Sequence, residues 1–458
     1  MRSYLSGLIL AASAAISLAA EAPRPNIVLI VADDLGSHDV GWRGSEIKTP
    51  HLDQLAKGGA RLNQFYVQPV CSPTRAALLT GRYPFRYGLQ TGVVRPWANY
   101  GLPLEERLLP QALRDAGYET AIVGKWHLGH VRPEYLPTKR GFDHQYGHYN
   151  GAIDYFTHIR DGGFDWHKDD RVNRDEGYST ELIGREASRL IKDRNKSQPL
   201  FLYVPFNGVH SPYQVPEKFS DAYPQFKGTR KTYAGMVTAM DEAIGKITAT
   251  LAAEKLTENT LVIFTSDNGG PSPGKVTSNG SLRAGKGTLY EGGVRVCAFA
   301  SWPGKLKSAD VETPLHATDW YPTLLKLAGA KTEQPLPIDG RDAWPALTEG
   351  KPHRETFALN VTPTGGAVRV GDWKLVVNGA AGAAEDEDAP DAKAAAGKTE
   401  LFNLAADPGE KDNVAAAQPE RVAELKAKLA AFAKEAVEPK AKPKAKNFQS
   451  PKVWGEAE

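Results

Sequence analysis

Four short apolar runs, each ending in a knot of polar side chains, constrain this chain more than any other feature. They are "NIVLIVADD", closing on Asp33 and Asp34; "TAIVGKWHLG", on Lys125 and His127; "PLFLYVPFNGVH", on His210; and "NTLVIFTSDNGG", on Asp267 and Asn268. An unbroken apolar run of this length, bounded by turn residues, predicts a strand buried on both faces, as in a parallel sheet. The carboxyl ends of parallel strands lie along one edge, where ligands of open α/β sheets bind. The four polar clusters are therefore expected to build a single site.

Helical patterns lie between the runs. "EERLLPQALRDAGY" and "YAGMVTAMDEAIGKITATLAAE" predict helices that cover the sheet. In the second, Met236, Met240, Ile244 and Ile247 recur at the spacing of core packing. A length of 458 residues suits a large α/β unit with a smaller partner. After about residue 345 the pattern changes: "TFALNVTPTGGAVRVGDWKLVVNG" predicts short antiparallel strands, and "PERVAELKAKLAAFAKEAVE" sets Val422, Leu425, Leu429 and Phe432 on one helical face. The expected division is a signal peptide over 1–22, a large α/β domain over 23–345, and a C-terminal subdomain with an antiparallel sheet and a helix over 346–438. That subdomain carries a flexible acidic insert at about 380–398, and a flexible Lys- and Pro-rich tail follows over 439–458.

The opening has a basic residue at Arg2, an apolar run over 5–18 and small residues over 19–22, the pattern of a secretory signal. Export to the periplasm or the extracellular space is expected, without stable membrane insertion, because no later segment is long and apolar enough to span a bilayer. Lysine and arginine (56) nearly balance aspartate and glutamate (54), which leaves no field to hold nucleic acid. Any anion must be bound locally.

The stretch "VCSPTRAALLTGRYP" carries one of only two cysteines. Ser72 suits an N-cap, Pro73 the first helical position and Gly81 the stop, which predicts a helix over 73–80 with Cys71 at its positive end. With Arg75 one turn in, the Cys71 thiol is expected to be depressed in pKa and reactive. Cys297, inside "VRVCAFA", reads as a buried strand residue. Asp33, Asp34, Asp267 and Asn268 offer only oxygen donors, the chemistry of a hard divalent cation. Lys125, His127, His210 and Lys286, together with Arg75, would surround a tetrahedral anion, with histidines available to move protons.

These stretches resemble the type I sulfatases, most closely the arylsulfatase B (N-acetylgalactosamine-4-sulfatase) branch. "CSPTRAALLTGR" matches the C-x-P-x-R signature of that family, and "GKWHLG" its second signature. "PNIVLIVADDLG", "LPTKRGFDHQYG", "VHSPYQVPEKF", "SDNGG", "LRAGKGTLYEGGVR" and "ELFNLAADPGEKDN" follow in order over nearly the whole chain. The resemblance implies an alkaline-phosphatase-like α/β fold. It also implies hydrolysis of sulfate esters at a Cα-formylglycine that a formylglycine-generating maturation enzyme makes from Cys71. In that scheme Cys71, Arg75, Lys125, His127, His210 and Lys286 are catalytic. Asp33, Asp34, residue 71, Asp267 and Asn268 hold Ca2+, or else Mg2+. The hydrated aldehyde attacks sulfur, and a hemiacetal sulfate then collapses to release sulfate.

"PWANY" and "GHYNGAIDYFTH" fall where substrate loops of the family lie, so Trp97, His148 and Asp154 are expected to contact a sulfated carbohydrate, either a glycosaminoglycan or an algal polysaccharide fragment. Two alternatives stand beside this reading: a phosphonate or phosphate diester hydrolase with the same nucleophile, and a non-catalytic secreted carbohydrate-binding protein.

Overall fold

The computed structural model describes residues 24–379 and 397–456. The expected signal peptide and almost all of the acidic insert lie outside them. Among the described residues, no helix is long and apolar enough to cross a membrane.

All four apolar runs are strands of one ten-stranded sheet. Its centre runs Thr260–Ser266, Asn26–Ala32, Leu200–Pro205, Glu119–Lys125 and His144–His148, all mutually parallel. Strand Ala298–Ser301 then joins antiparallel to Thr260–Ser266. Because successive side chains point to opposite faces, the central strand feeds two cores. Ile27, Leu29 and Val31 enter one, and Val28, Ile30 and Ala32 the other. Each such aliphatic side chain contributes about 2 kcal/mol by leaving water.

The first core includes the helix Cys71–Thr80, in which every residue is buried. The second is covered by the 26-residue helix Gly228–Ala253, whose Met236, Met240, Ile244 and Ile247 are fully buried as their spacing implied. The smaller C-terminal part is a four-stranded antiparallel meander, Thr356–Thr362, Gly365–Val370, Trp373–Val377 and Thr399–Asn403, packed under the helix Pro419–Ala433. Leu425 and Leu429 of that helix are buried, and Val422 and Phe432 pack beside the same core. The whole is the alkaline-phosphatase-like arrangement of a large mixed sheet with a small second sheet.

Two local expectations need correction. Ser72 does not cap the helix, which begins at Cys71 after an extended Val70. Its hydroxyl instead donates to the His127 carbonyl at 2.9 Å and accepts from the Val94 amide at 3.0 Å, pinning two loops to the helix start. Nor does the described part of the Lys- and Pro-rich end behave as a free tail. The Lys440 amide bonds Gly88, Val453 bridges Phe164, and Trp454 is buried at 2 % exposure. Lysine and proline dominate the composition of this segment, but Phe448 and Trp454 stack on each other and fasten it.

Candidate active site

Every polar group expected at the strand ends arrives at one place. Asp33 and Asp34 follow Asn26–Ala32, Asp267 and Asn268 follow Thr260–Ser266, Lys125 closes Glu119–Lys125, and His210 follows Leu200–Pro205. Asp34 and His127 both take left-handed backbone conformations, φ 60° and 59°. Non-glycine residues tolerate that only where surrounding contacts hold them. Gly151 makes room for the His127 ring, since a Cβ there would lie 2.4 Å from it.

The helix Cys71–Thr80 delivers the other two members. The Cys71 Sγ lies 3.5 Å from Asp33 Oδ1. Arg75, a turn further in, donates through Nε and Nη2 to Asp267 Oδ2 at 3.1 and 2.8 Å, and through Nη1 to the Lys125 carbonyl at 3.1 Å. Lys125 Nζ sits 2.5 Å from Asp33 Oδ2, and Lys286 Nζ 2.9 Å from Asp34 Oδ2 and 3.1 Å from His210 Nε2. Three carboxylates thus face three fixed cations in a buried cluster, and the charges balance.

Electrostatics divide these groups. Burial, with Asp267 alongside, pushes the Asp33 carboxyl up to about 6 despite Lys125. Burial acts on Asp267 as well, but Arg75 and Lys125 outweigh it and hold that carboxyl at about 2. His127 is driven well below the ordinary histidine range by burial and then by Lys125 and Arg75, so it is neutral at pH 7. The Cys71 thiol overturns its expectation: burial, then Asp267 and Asp33, push it well up against the pull of Lys125 and Lys286. Burial, backed by the two carboxylates, outweighs the cations, so residue 71 rests as a protonated thiol.

The cluster fits an oxygen-seeking divalent cation. Asp33, Asp34, Cys71 and His210 offer ligand atoms all within 4.8 Å of one another. Asn268 donates through Nδ2 to Asp34 at 2.7 Å, while its Oδ1 is buried without a hydrogen-bond partner. A buried acceptor left unmatched among carboxylates is what a cation ligand looks like without its ion.

Above the cluster lies a pocket of about 50 Å³ lined by Cys71, His127, His210 and Lys286, and also by Arg95 and Arg160. The three expected substrate contacts are not among its lining residues. His148 is fully buried and stacks on Trp166 with ring centroids 6.2 Å apart. Asp154 spends its carboxylate on the Phe156 and Thr157 amides and on Gln214, shaping its own loop. Trp97 lines a neighbouring hollow and donates to the Lys442 carbonyl at 3.2 Å. Sequence reasoning missed Arg160, which stands two residues beyond the loop stretch that was singled out. A basic residue close behind an aromatic loop was the available signal.

A site of this make-up, at the carboxyl edge of such a sheet, defines an enzyme acting on tetrahedral oxyanion esters. The family described as Sulfatase matches residues 25–330. The chain is 36% identical to arylsulfatase J of Mus musculus over 481 residues, 94% of this chain and 80% of that protein. It is 39% identical to N-acetylgalactosamine-6-sulfatase of Mus musculus over 373 residues, 75% and 70% of the two. Among solved structures, Ps i-CgsB in complex with k-i-k-neocarrahexaose superposes with a TM-score of 0.82 at 33% identity, covering 91% of this chain and 94% of that one. The chain belongs to the sulfatase family and is a sulfuric ester hydrolase.

Proposed function

We propose that this enzyme removes sulfate from a sulfated carbohydrate, using a Cα-formylglycine made from Cys71 by a maturation enzyme. The observation that carries the reading is the position of Cys71. It stands at the start of a wholly buried helix, 3.5 Å from Asp33 and on the wall of a small pocket ringed by Lys286, His127 and His210. The aldehyde, hydrated, supplies one hydroxyl to attack sulfur and a second through which sulfate is released.

In this scheme Asp33, Asp34, Asp267 and Asn268 hold Ca2+ or Mg2+ beside residue 71, and the cation supplies Lewis-acid polarisation of a sulfate oxygen. Lys125 and Lys286 grip the remaining sulfate oxygens, where fixed charge favours the transition state. Arg75, held on Asp267, adds a fixed positive charge one helical turn from residue 71 that favours the alkoxide of the hydrated aldehyde. His210 Nε2, next to Lys286 Nζ, delivers a proton to the departing sugar oxygen. His127, neutral through burial, accepts a proton from residue 71 as sulfate leaves.

A carbohydrate substrate is favoured by the relatives, one named for N-acetylgalactosamine 6-sulfate and another solved with a neocarrahexaose. A glycosaminoglycan or an algal galactan fragment follows as the substrate class. Export is inferred from the signal-like opening over 1–22.

Two measurements test the proposal. Mass spectrometry of the peptide carrying residue 71, after co-expression with a formylglycine-generating enzyme, is expected to find aldehyde. Intact thiol would overturn the mechanism. Turnover of matched aryl sulfate and aryl phosphate diester substrates is expected to favour the sulfate, and the opposite preference would support the diesterase alternative.

A further inference from the structure

Arg160 belongs to the pocket but not to the chemistry. It lines the same pocket as Cys71, His127, His210 and Lys286, with its side chain 28 % exposed. Its Nε is buried without a hydrogen-bond partner and, among the described residues, has Asp161, at 3.6 Å, as its ionic neighbour. The Asp161 side chain is itself 36 % exposed, so the pairing is weak. The positive charge is felt inside the site, since it is among the groups that lower the His127 pKa.

Arg160 sits on a minimal hairpin, Ile159–Arg160 paired with Gly163–Phe164, which has no sheet of its own to stiffen it. The C-terminal segment supplies the stiffness. Trp454 Nε1 donates to the Arg160 carbonyl at 2.8 Å, the Phe164 amide donates to Lys452 at 2.9 Å, and the Trp454 amide donates back to Phe164 at 3.0 Å. Trp454 packs edge-on against His130 at 5.3 Å and stacks on Phe448. Gly163 is required there, because a Cβ would lie 2.7 Å from the Trp454 indole nitrogen. A buried tryptophan from the far end of the chain therefore fixes the backbone that carries a guanidinium at the pocket mouth.

We propose that Arg160 binds a second anionic group of the substrate, a sulfate or a uronate carboxylate beyond the ester being cleaved, and that Trp454 positions Arg160 for this. The proposal rests on the sulfatase reading and deepens it. Arginine forms paired, charge-assisted hydrogen bonds to either oxyanion. Catalysis at one sulfate has no need of a cation held at the rim, whereas a polyanionic chain presents a second charge there.

The test is competitive inhibition of 4-methylumbelliferyl sulfate turnover by three ligand classes: inorganic sulfate, monosulfated neutral disaccharides, and disaccharides carrying either two sulfates or one sulfate and one uronate. Both galactan and glycosaminoglycan backbones are used. The wild-type enzyme is expected to bind at least one dianionic class about tenfold or more tightly than its monoanionic counterpart, and which class it is identifies the second group. In Arg160→Gln that preference should fall to about one, with Arg160→Lys recovering part of it. Trp454→Phe, which keeps an aromatic ring but loses the N–H and part of the indole, should reduce the preference by about threefold. The proposal is overturned if wild type shows no preference on either backbone, or if Arg160→Gln weakens mono- and dianionic ligands equally. Absence of aryl sulfate turnover or of inhibition by inorganic sulfate in the matured wild type would instead strike at the sulfatase reading itself.

Discussion

Arg75 and Asp267 show how much of this site is held by charge taken out of water. Both side chains are fully buried and share two short hydrogen bonds, so removing one partner strands the other. Arg75→Met is expected to lose about 3–5 kcal/mol of stability by urea denaturation, with activity lost alongside. His127 offers a cleaner separation: His127→Ala should lower kcat by about 10²–10⁴ with a smaller change in KM, as removal of a proton acceptor does. The unmatched Asn268 oxygen predicts that chelation abolishes turnover and lowers Tm, and that added Ca2+ restores both; restoration by Mg2+ alone would assign the other ion. Asp33, Asp34, Lys125, His127, His210, Asp267 and Asn268 were legible because each stands at the end of an apolar run. The Cys71 ionisation was not, because it depends first on burial in the folded chain and then on Asp267 and Asp33 approaching from strands remote in sequence. His148 was misread for a similar reason: an imidazole in an aromatic loop looks like a sugar contact until Trp166 is found stacked on it.

Among the elements, the helix Cys71–Thr80 is the one most constrained. It ends on Gly81 at φ 68°, whose amide closes on the Ala77 carbonyl at 2.9 Å, and a Cβ at Gly81 would lie 2.7 Å from the Tyr321 side chain. Gly81→Ala combines a left-handed non-glycine backbone with that clash. A loss of about 1–3 kcal/mol is expected, read as a lower midpoint in denaturant. Strands and long helices were legible from period and run length, since burial on two faces leaves an unmistakable apolar pattern. The hairpin bearing Arg160 was not, because two-residue strands carry no period at all. Its stability comes from a segment almost three hundred positions away, through contacts that only the folded chain reveals.

For the molecule as a whole, a buried ionic knot joins the small sheet to the short helix Glu291–Val294 of the large part. Lys374 of the small sheet lies 2.8 Å from Glu291 and 2.9 Å from Glu410, all three groups without solvent exposure. Burial pushes Glu410 from 4.5 up to about 7 despite Lys374, with Glu291 adding to the rise. The folded protein therefore holds this proton more tightly than the unfolded chain. The stability it contributes is complete below about pH 4.5 and is lost as pH rises through about 7. Glu410→Gln, neutral at every pH, should show a smaller fall in Tm between pH 5 and 8 than wild type; an identical slope would remove Glu410 from the account. The two-part organisation was visible in the change of pattern near residue 345, whereas the joint between the parts was not, since isolated glutamates and lysines read as surface. One consequence follows from the position of residue 71, which is 1 % exposed within a helix that has no outward face. Under the maturation proposed above, an oxidising enzyme would reach that stretch only before the sheet has closed around it, so folding and maturation would run as a race on the emerging polypeptide. On that proposal a molecule that closes first would stay inert, and the active fraction of a preparation would record who won.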